Sequence, residues 1–240
     1  MKLTPTQLEQ YQNEGYTLVR GLIPRKEVAA VRARLMELLE DFPAWGERKM
    51  QVLDPSKYRN AKGQMIPVGV QLPAQEEEVF RAVADHPNLQ AAMAQLLGGS
   101  VKRFTDQALI KNKDIEGQSF YHQDSYYWHI NPELGCNCWI ALDEVGKDAI
   151  ALGILPGTHQ SWTLTPHEQY FDDPKPCSAS NGQPYQRWRI PFSQIDFSKE
   201  IMLPMSPGDG AFFTNFTWHR ADPNRSGMHK CAYAIAYQRQ

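Results

Sequence analysis

The hydrophobic pattern of the first hundred residues is mainly helical. After Pro24, apolar residues recur at helical spacing between charged ones, at Val28, Val31, Leu35, Leu38 and Leu39. This spacing predicts an amphipathic helix of about four turns whose apolar stripe covers a sheet. Helical patterns return over residues 76–86 and 87–99, and the second ends at a Gly-Gly pair that offers a stop. Residues 42–74 carry Pro and Gly without a sustained period, which predicts an irregular segment.

A capped helix and a strand open the chain. Thr4 fits the N-cap, Pro5 the first helical position and Gln7 the partner in a capping box, so we expect a helix from there to about Asn13. Residues 15–23, GYTLVRGLI, then have strand character, and a glycine ends the run.

The pattern changes to short strands from Val101 onward. Seven apolar or alternating runs are separated by turn residues, which predicts an antiparallel sandwich or barrel with the preceding helices packed on its outside. We expect one domain over residues 1–240, with a mostly helical part at 1–100 and a β-rich core at 101–240. The stretch 161–199 is too long for a simple hairpin loop, and we interpret it as a lid or substrate-binding insertion.

Composition limits the classes of partner. The chain is 42% hydrophobic and 22% charged, with a formal net charge of -2, so nothing indicates nucleic acid or a membrane as a partner. The first 16 residues lack the apolar run of a signal peptide, and a cytoplasmic protein is expected. Its four cysteines are then reduced. Cys136 and Cys138 form a C-x-C pair, which is a weak zinc signal, and packing is the favoured interpretation. The oligomeric state stays open.

One short motif carries candidate chemistry. In FYHQDSYYWHI, residues 120–130, His122 and Asp124 are two positions apart, so on a strand they project from one face while Gln123 faces the other. One imidazole and one carboxylate suit Fe(II), and a second histidine completes a face of three ligands that leaves positions open for substrate and oxygen. His219 is the candidate for that histidine. Four other histidines are available for the same role: His129, His159, His167 and His229.

Longer motifs in the right order carry a family resemblance. HQDSYYW (122–128), LPGTH (155–159) and SPGDGAFFTNFTWHRADPNRS (206–226) resemble the metal motif, the P-G-S-H turn and the distal-histidine strand of the phytanoyl-CoA dioxygenase family of Fe(II)- and 2-oxoglutarate-dependent oxygenases. The opening helix, strand and helix are similar as well. The resemblance implies a mainly β fold with flanking helices, in which a double-stranded β-helix, a cupin-like jelly roll, forms the core.

The resemblance also implies roles for individual residues. It assigns iron binding to His122, Asp124 and His219, with 2-oxoglutarate and O2 as co-substrates. Trp139 matches a tryptophan that lines the 2-oxoglutarate pocket, although a core aromatic residue is an equal alternative.

Two positions depart from the family pattern around the co-substrate. The family usually has a serine two residues after the distal histidine and, eleven residues after it, an arginine that clamps the far carboxylate of 2-oxoglutarate. Here Ala221 and Lys230 stand there. Lysine keeps the charge but loses the planar fork of arginine, so weaker co-substrate binding is expected. Arg225 is the alternative clamp. Upstream of the P-G-S-H-like turn, Ala149 and Ile150 replace a common Asn-Gly pair.

The function implied by the resemblance is oxidation of a small molecule, with release of succinate and CO2. Hydroxylation, or another two-electron oxidation such as ring closure or desaturation, is favoured over halogenation, because Asp124 leaves no coordination position for the halide that halogenating relatives bind. Arg187 and Arg189, at strand spacing beside Trp188, could grip an anionic substrate, although a solvated charged edge is the favoured interpretation. Two alternatives stay open: a protein of this fold that binds metal and ligand without efficient turnover, and a metal-dependent isomerase or hydrolase.

Overall fold

Helices and strands alternate along the chain in the order expected for an α-plus-β fold. The computed structural model describes residues 1–40, 50–113, 117, 119–130, 134–146, 149–171 and 173–240. The helices are α1 Pro5–Glu14, α2 Arg25–Glu40, α3 Pro73–Glu76, α4 Glu78–Ala84 and α5 Pro87–Leu97. The strands are β1 Tyr16–Val19, β2 Met50–Leu53, β3 Pro67–Gln71, β4 Val101–Lys111, β5 Ser119–His122, β6 Gly135–Ala141, β7 Leu152–Leu155, β8 Glu168–Tyr170, β9 Pro176–Ser178, β10 Arg187–Arg189, β11 Ile201–Leu203, β12 Gly210–Thr214, β13 Trp218–Ala221 and β14 Lys230–Arg239.

Two antiparallel sheets form the core of the molecule. The larger sheet has the strand order β1-β12-β6-β14-β4-β3-β2-β9, and the smaller one has the order β11-β7-β13-β5. From β4 to β7, and again from β11 to β14, each successive strand joins the other sheet. This alternation is the double-stranded β-helix, or jelly roll, that was predicted.

The helices cover the outer face of the larger sheet. Val28, Val31, Leu35 and Leu38 of α2 are buried in one cluster with Tyr233, Ile235 and Tyr237 of β14 and with Leu89 and Met93 of α5. Each fully buried side chain of this size contributes about 1.5–3 kcal/mol relative to exposure. The predicted amphipathic helix and its contact with a sheet are confirmed.

The N-terminal cap has the predicted form. The backbone N–H of Gln7 donates to Thr4 Oγ1 at 3.2 Å, and the backbone N–H of Thr4 donates to Gln7 Oε1 at 2.9 Å. These two bonds pair backbone N–H groups at the start of the helix that have no partner within it, and this fixes where α1 begins.

The prediction of an irregular segment over residues 42–74 was wrong at two strands, β2 and β3, and at the start of α3. Strands β2 and β3 extend the larger sheet beyond β4, and α3 follows directly. Both strands are short, and neighbours distant in sequence hold them: β3 pairs with β4, and β2 pairs with β9. Residues 42–49 lie outside the described part of the chain.

The inner face of the larger sheet lines the interior of the jelly roll. Along β14, Cys231, Tyr233 and Ile235 pack toward the helices, whereas Ala232 packs inward with Trp139. Because side chains alternate along a strand, Lys230 shares the inward face with Ala232. The lysine at the start of β14 is therefore directed to the interior of the jelly roll.

The insertion at 161–199 contributes three short strands. β8 and β10 form a two-stranded sheet of their own, and β9 is the last strand of the larger sheet. Its role as a lid stays a prediction, as does the assignment of all 240 residues to one domain. Among the described residues, no helix has both the length and the apolar character needed to cross a membrane.

Candidate active site

Three potential metal ligands converge inside the jelly roll. Asp124 Oδ1 lies 3.7 Å from His122 Nε2 and 3.5 Å from His219 Nε2. One ligand atom from each residue lies within 4.8 Å of the others, and this is the only such group of His, Cys, Asp or Glu in the described part of the chain. Donor atoms bonded to one ion at about 2.1 Å are at most about 4.2 Å apart, so small side-chain adjustments let this set hold one.

The backbone brings the two histidines together by strand pairing. His122 ends β5, and its cross-strand partner on β13 is His219. Their ring centroids are 4.3 Å apart. Directly paired residues of an antiparallel ladder point to the same side of the sheet, so the register alone places both imidazoles in one cavity.

The aspartate reaches the same side without belonging to the strand. We expected His122 and Asp124 on one continuous strand, but β5 ends at His122, and Asp124 begins a 3-10 turn over Asp124–Tyr126. Gln123 between them is still extended, with φ -109° and ψ 133°, so the alternation of sides survives. This tight turn also returns the backbone N–H of Trp128 to Asp124 O at 3.0 Å.

Gln123 fixes the turn from the opposite side. Its side-chain amide donates to Phe216 O at 2.9 Å and to Thr163 O at 3.1 Å, and its Oε1 accepts the backbone N–H of Thr165 at 2.8 Å. The residue is completely buried. It therefore ties the metal-ligand turn to the start of the insertion at 161–199.

Hydrogen bonds set the tautomer of both histidines. Nδ1 of His122 lies 2.8 Å from Phe120 O, and Nδ1 of His219 lies 3.0 Å from Thr217 O. A carbonyl oxygen only accepts, so each Nδ1 carries the proton and each Nε2 presents its lone pair to the cavity. Metal-binding histidines are oriented in this way by their neighbours.

The surroundings of His122 keep its imidazole neutral, which is the form that binds a metal ion. Burial, with the neighbouring His219, lowers the pKa of His122 to about 3, so the ring is neutral at pH 7. Burial raises the pKa of Asp124, whereas His219 and the amide of Asn137 lower it. Asn137 Nδ2 donates to Asp124 Oδ2 at 3.0 Å, which leaves Oδ1 turned to the histidines.

The other four histidines do not join the cluster. His159 Nε2 lies 3.1 Å from Gln12 O, where it bonds to α1. His167 Nε2 accepts the backbone N–H of Gln123 at 3.2 Å. In the part of the chain that the structure describes, neither these two nor His129 and His229 belong to a group that could hold a metal.

The residues expected around 2-oxoglutarate lie in different surroundings. Trp139 is buried on the inward face of β6, beside Ala211 of β12 and Ala234 of β14. Lys230 is only 8% exposed, and no hydrogen bond or ion pair joins its amine to any described residue. Arg225 is exposed in the loop between β13 and β14.

Sequence reasoning missed three polar residues of this interior. Asn137 is two positions before Trp139 on β6. The alternation of side chains along a strand could therefore have predicted that Asn137 faces the interior. Ser119 lies opposite Ala221, and its Oγ accepts the N–H of Ala221 at 2.8 Å. Lys111 is the cross-strand partner of Lys230. The last two depend on strand register, for which the sequence carried no signal.

Ile150, which replaces the glycine of the family's Asn-Gly pair, keeps a glycine-like backbone. Its φ is +50°, in the left-handed region that β-branched residues rarely adopt. The side chain is buried in the same cluster as Trp139 and Leu152. An isoleucine therefore fills interior space without changing the turn.

Known proteins resemble this chain in sequence and in fold. A 28% identity over 177 residues relates it to the ectoine dioxygenase of Bordetella bronchiseptica, covering 70% of this chain and 54% of that protein. The chain thus spans about half the length of that relative. A probable phytanoyl-CoA dioxygenase of Caenorhabditis elegans is 25% identical over 246 residues, covering 97% of this chain and 75% of the relative.

Among solved structures, the epimerase SnoN in complex with Fe3+, alpha ketoglutarate and nogalamycin RO superposes with a TM-score of 0.71. It is 20% identical, and the superposition covers 97% of this chain and 82% of SnoN. This likeness supports the jelly-roll fold. The sequence model of the phytanoyl-CoA dioxygenase family matches residues 11–231, nearly the whole length. The chain belongs to the phytanoyl-CoA dioxygenase family.

Proposed function

We propose that this chain is a non-heme Fe(II)- and 2-oxoglutarate-dependent dioxygenase that oxidises a small molecule, most simply by hydroxylation, and releases succinate and CO2. The observation that carries this proposal is the ligand set. Two imidazoles present Nε2 to one oxygen of a buried carboxylate. Two histidines and one carboxylate form the facial triad of non-heme iron oxygenases.

His122, Asp124 and His219 would hold the iron. With 2-oxoglutarate and O2, the bound iron supplies the oxidising power. The chain contributes the fixed tautomers, the hydrogen bond from Asn137 and a buried setting that limits access of water. Family membership and the likeness to SnoN, which was crystallised with Fe3+ and alpha ketoglutarate, support this choice of metal and co-substrate.

Lys230 is our proposed clamp for the far carboxylate of 2-oxoglutarate. No described residue forms a hydrogen bond or ion pair with the amine of Lys230, and a carboxylate beside it would gain a charge-assisted contact in a largely enclosed setting. Lys230 lies on the inward face of β14, as Ala232 does, and the ring of Trp139, which packs in the cluster of Ala232, would line the same pocket. Arg225, the alternative, is exposed.

An anaerobic titration tests the metal and the co-substrate together. Fe(II)-loaded protein is titrated with 2-oxoglutarate, and the weak visible charge-transfer band of the chelate is followed. A saturable band in the native protein and in the His129→Ala control, together with its loss in His122→Ala, is expected. His129 is an exposed histidine near the motif, so it controls for nonspecific effects. Absence of the band in iron-loaded native protein would contradict the proposal.

A second function is favoured by one observation. Ala221 and Lys230 replace the usual serine and arginine, so a protein that keeps its metal and binds a ligand without efficient turnover is a coherent alternative. Succinate formation in air separates the two. The dioxygenase converts 2-oxoglutarate to succinate slowly even without substrate, whereas the binding protein leaves it unchanged.

A further inference from the structure

A small cavity with two cationic side chains includes Ser119, the first residue of the strand that ends at the ligand His122. Its volume is about 170 Å³, and it opens between the β2–β4 end of the larger sheet and the strands β5, β8 and β10. Its walls are mostly apolar, from Leu53, Val68, Leu109, Tyr170, Pro174 and Pro176. Lys111, Arg187 and Ser119 supply polar groups to the same lining.

The cavity is close to the ligand His122. Ser119, in its lining, is three residues before His122 on β5. The ring of Tyr170 packs edge-on against Phe120 with centroids 5.0 Å apart, and the carbonyl of Phe120 accepts the Nδ1–H of His122. Phe120 therefore contacts both Tyr170 of the cavity lining and the metal ligand His122.

Lys111 brings a positive charge that the described surroundings only partly balance. Its amine donates to Gly117 O at 2.6 Å. Burial and the nearby Arg187 lower the pKa of Lys111 to about 8, and Asp222 opposes this shift. Asp222 is itself ion-paired with Arg220.

Other cationic side chains add positive charge around Lys111. Lys230 is the cross-strand partner of Lys111, and paired like charges repel. Arg187 is held in place, since its Nε donates to Tyr170 Oη at 2.8 Å and its guanidinium lies 4.2 Å from the centre of that ring. Arg189 on the same strand pairs with Glu168 at 2.8 Å, which fits the favoured interpretation of a charged edge.

We infer that the substrate of the proposed dioxygenase is a small carboxylate, with its charged group held by Lys111 and Arg187 and the adjoining apolar carbons against the cavity walls. This inference rests on the proposed function. Ligand pockets usually exceed about 300 Å³, so this cavity fits the anionic end of a ligand whose remainder extends toward the metal. The apolar lining disfavours a phosphate ester and suits an aliphatic acid.

The same chemistry could serve the far carboxylate of 2-oxoglutarate, so the test separates the two sources. Metal-free protein is titrated calorimetrically with 4-methylpentanoate and with 4-methylpentanamide, which has a similar shape but no charge. We expect the carboxylate to bind at least tenfold more tightly than the amide. Equal affinities, or no binding of the carboxylate, would overturn the inference without any variant.

Two variants locate the site. Lys111→Met keeps the apolar part of the side chain but removes the charge. We expect it to weaken the binding of 4-methylpentanoate at least tenfold. Lys102→Met removes an exposed lysine from the same strand and should leave the affinity unchanged. If Lys111→Met leaves carboxylate binding within threefold of native, Lys111 is not the clamp, and the inference is wrong.

The co-substrate arm uses the Fe(II)-loaded protein. The 2-oxoglutarate affinity of Lys111→Met should stay within fivefold of native, because Lys230 is the proposed partner there. A larger loss would assign Lys111 to 2-oxoglutarate and overturn the substrate assignment. Since the calorimetry uses metal-free protein, a failure of the iron or 2-oxoglutarate proposal is seen separately, in the charge-transfer titration.

Discussion

Replacing Asn137 by leucine should weaken iron binding while leaving the fold in place. Asn137 is 8% exposed on β6, and its amide donates to the oxygen of Asp124 that does not face the histidines. Its own Oδ1 is buried and has no hydrogen-bond partner among the described residues. Leucine has a similar size, so Asn137→Leu removes the bond to Asp124 together with an unsatisfied acceptor.

The magnitude follows from the charge of the acceptor. A hydrogen bond to a charged group contributes about 1.5–3 kcal/mol, which corresponds to a loss of roughly 10- to 150-fold in affinity. Groups that orient metal ligands typically give losses of about 10- to 100-fold when they are replaced. We therefore expect the Fe(II) dissociation constant of Asn137→Leu to rise by about one to two orders of magnitude.

Anaerobic competition with a chromogenic Fe(II) chelator measures that constant. Asn88→Ala is the matched control, because the Asn88 amide also donates a hydrogen bond, to Leu22 O at 3.1 Å, but lies on α5. Its iron affinity should stay within twofold of native. Circular dichroism checks the fold of both variants. A folded Asn137→Leu protein that binds Fe(II) within threefold of native would refute the reasoning.

Four further predictions test other parts of the structure. Lys230→Ala should raise the 2-oxoglutarate KM at least tenfold and far more than Arg225→Ala, and the reverse order would exclude Lys230 as the clamp. The pKa of Lys111 is about 8 in the fold against an ordinary 10.5, so the unfolded chain binds more protons between these values. The stability of the native protein relative to Lys111→Met should therefore rise from pH 8 to 10.5, and equal urea denaturation differences at pH 7.5 and 9.5 would contradict this. Gln123→Ala should lower the free energy of unfolding by about 1–3 kcal/mol, as measured in urea, because it leaves buried groups unpaired. Gly208→Ala should cost about 1–3 kcal/mol or more in the same assay, because Gly208 has φ +95° and a Cβ there would lie 2.4 Å from Ile23 O; an unchanged midpoint would refute this.

Local signals in the sequence were sufficient to predict most of the helices. The cap at Thr4 and the apolar stripe of α2 depend on residues three or four apart, and both were predicted correctly. Strands β2 and β3 were missed because each has only four or five residues and obtains its hydrogen bonds from β9 and β4, far along the chain. A short strand that is stabilised by distant partners has almost no signature of its own.

The candidate metal site was predictable to the extent that its spacing is local. The two-residue separation of His122 and Asp124 indicated a shared face, and the face is shared although the strand ends between them. The hydrogen bond from Asn137 and the pairing of Lys111 with Lys230 depend on register between strands. Register follows from the whole pattern of pairing and bulges, which the sequence alone did not specify.

Register also changes what the departures from the family pattern mean. At position 221 the chain has alanine where the family usually has serine. In the fold, Ser119 lies directly across from Ala221 on β5, and its hydroxyl accepts the N–H of Ala221 while keeping its own proton to donate. Under the proposed function, this hydroxyl would take the place of the missing serine.

The alternative of a binding protein without turnover rested on Ala221 and Lys230 together. With a hydroxyl restored by Ser119, its remaining support is the exchange of arginine for lysine. That exchange keeps the positive charge but loses the planar fork of arginine, and no described residue forms an ion pair with the amine of Lys230. A site built in this way should bind 2-oxoglutarate more weakly than an arginine-containing relative but still turn it over, so the succinate assay is the measurement that decides between the two functions.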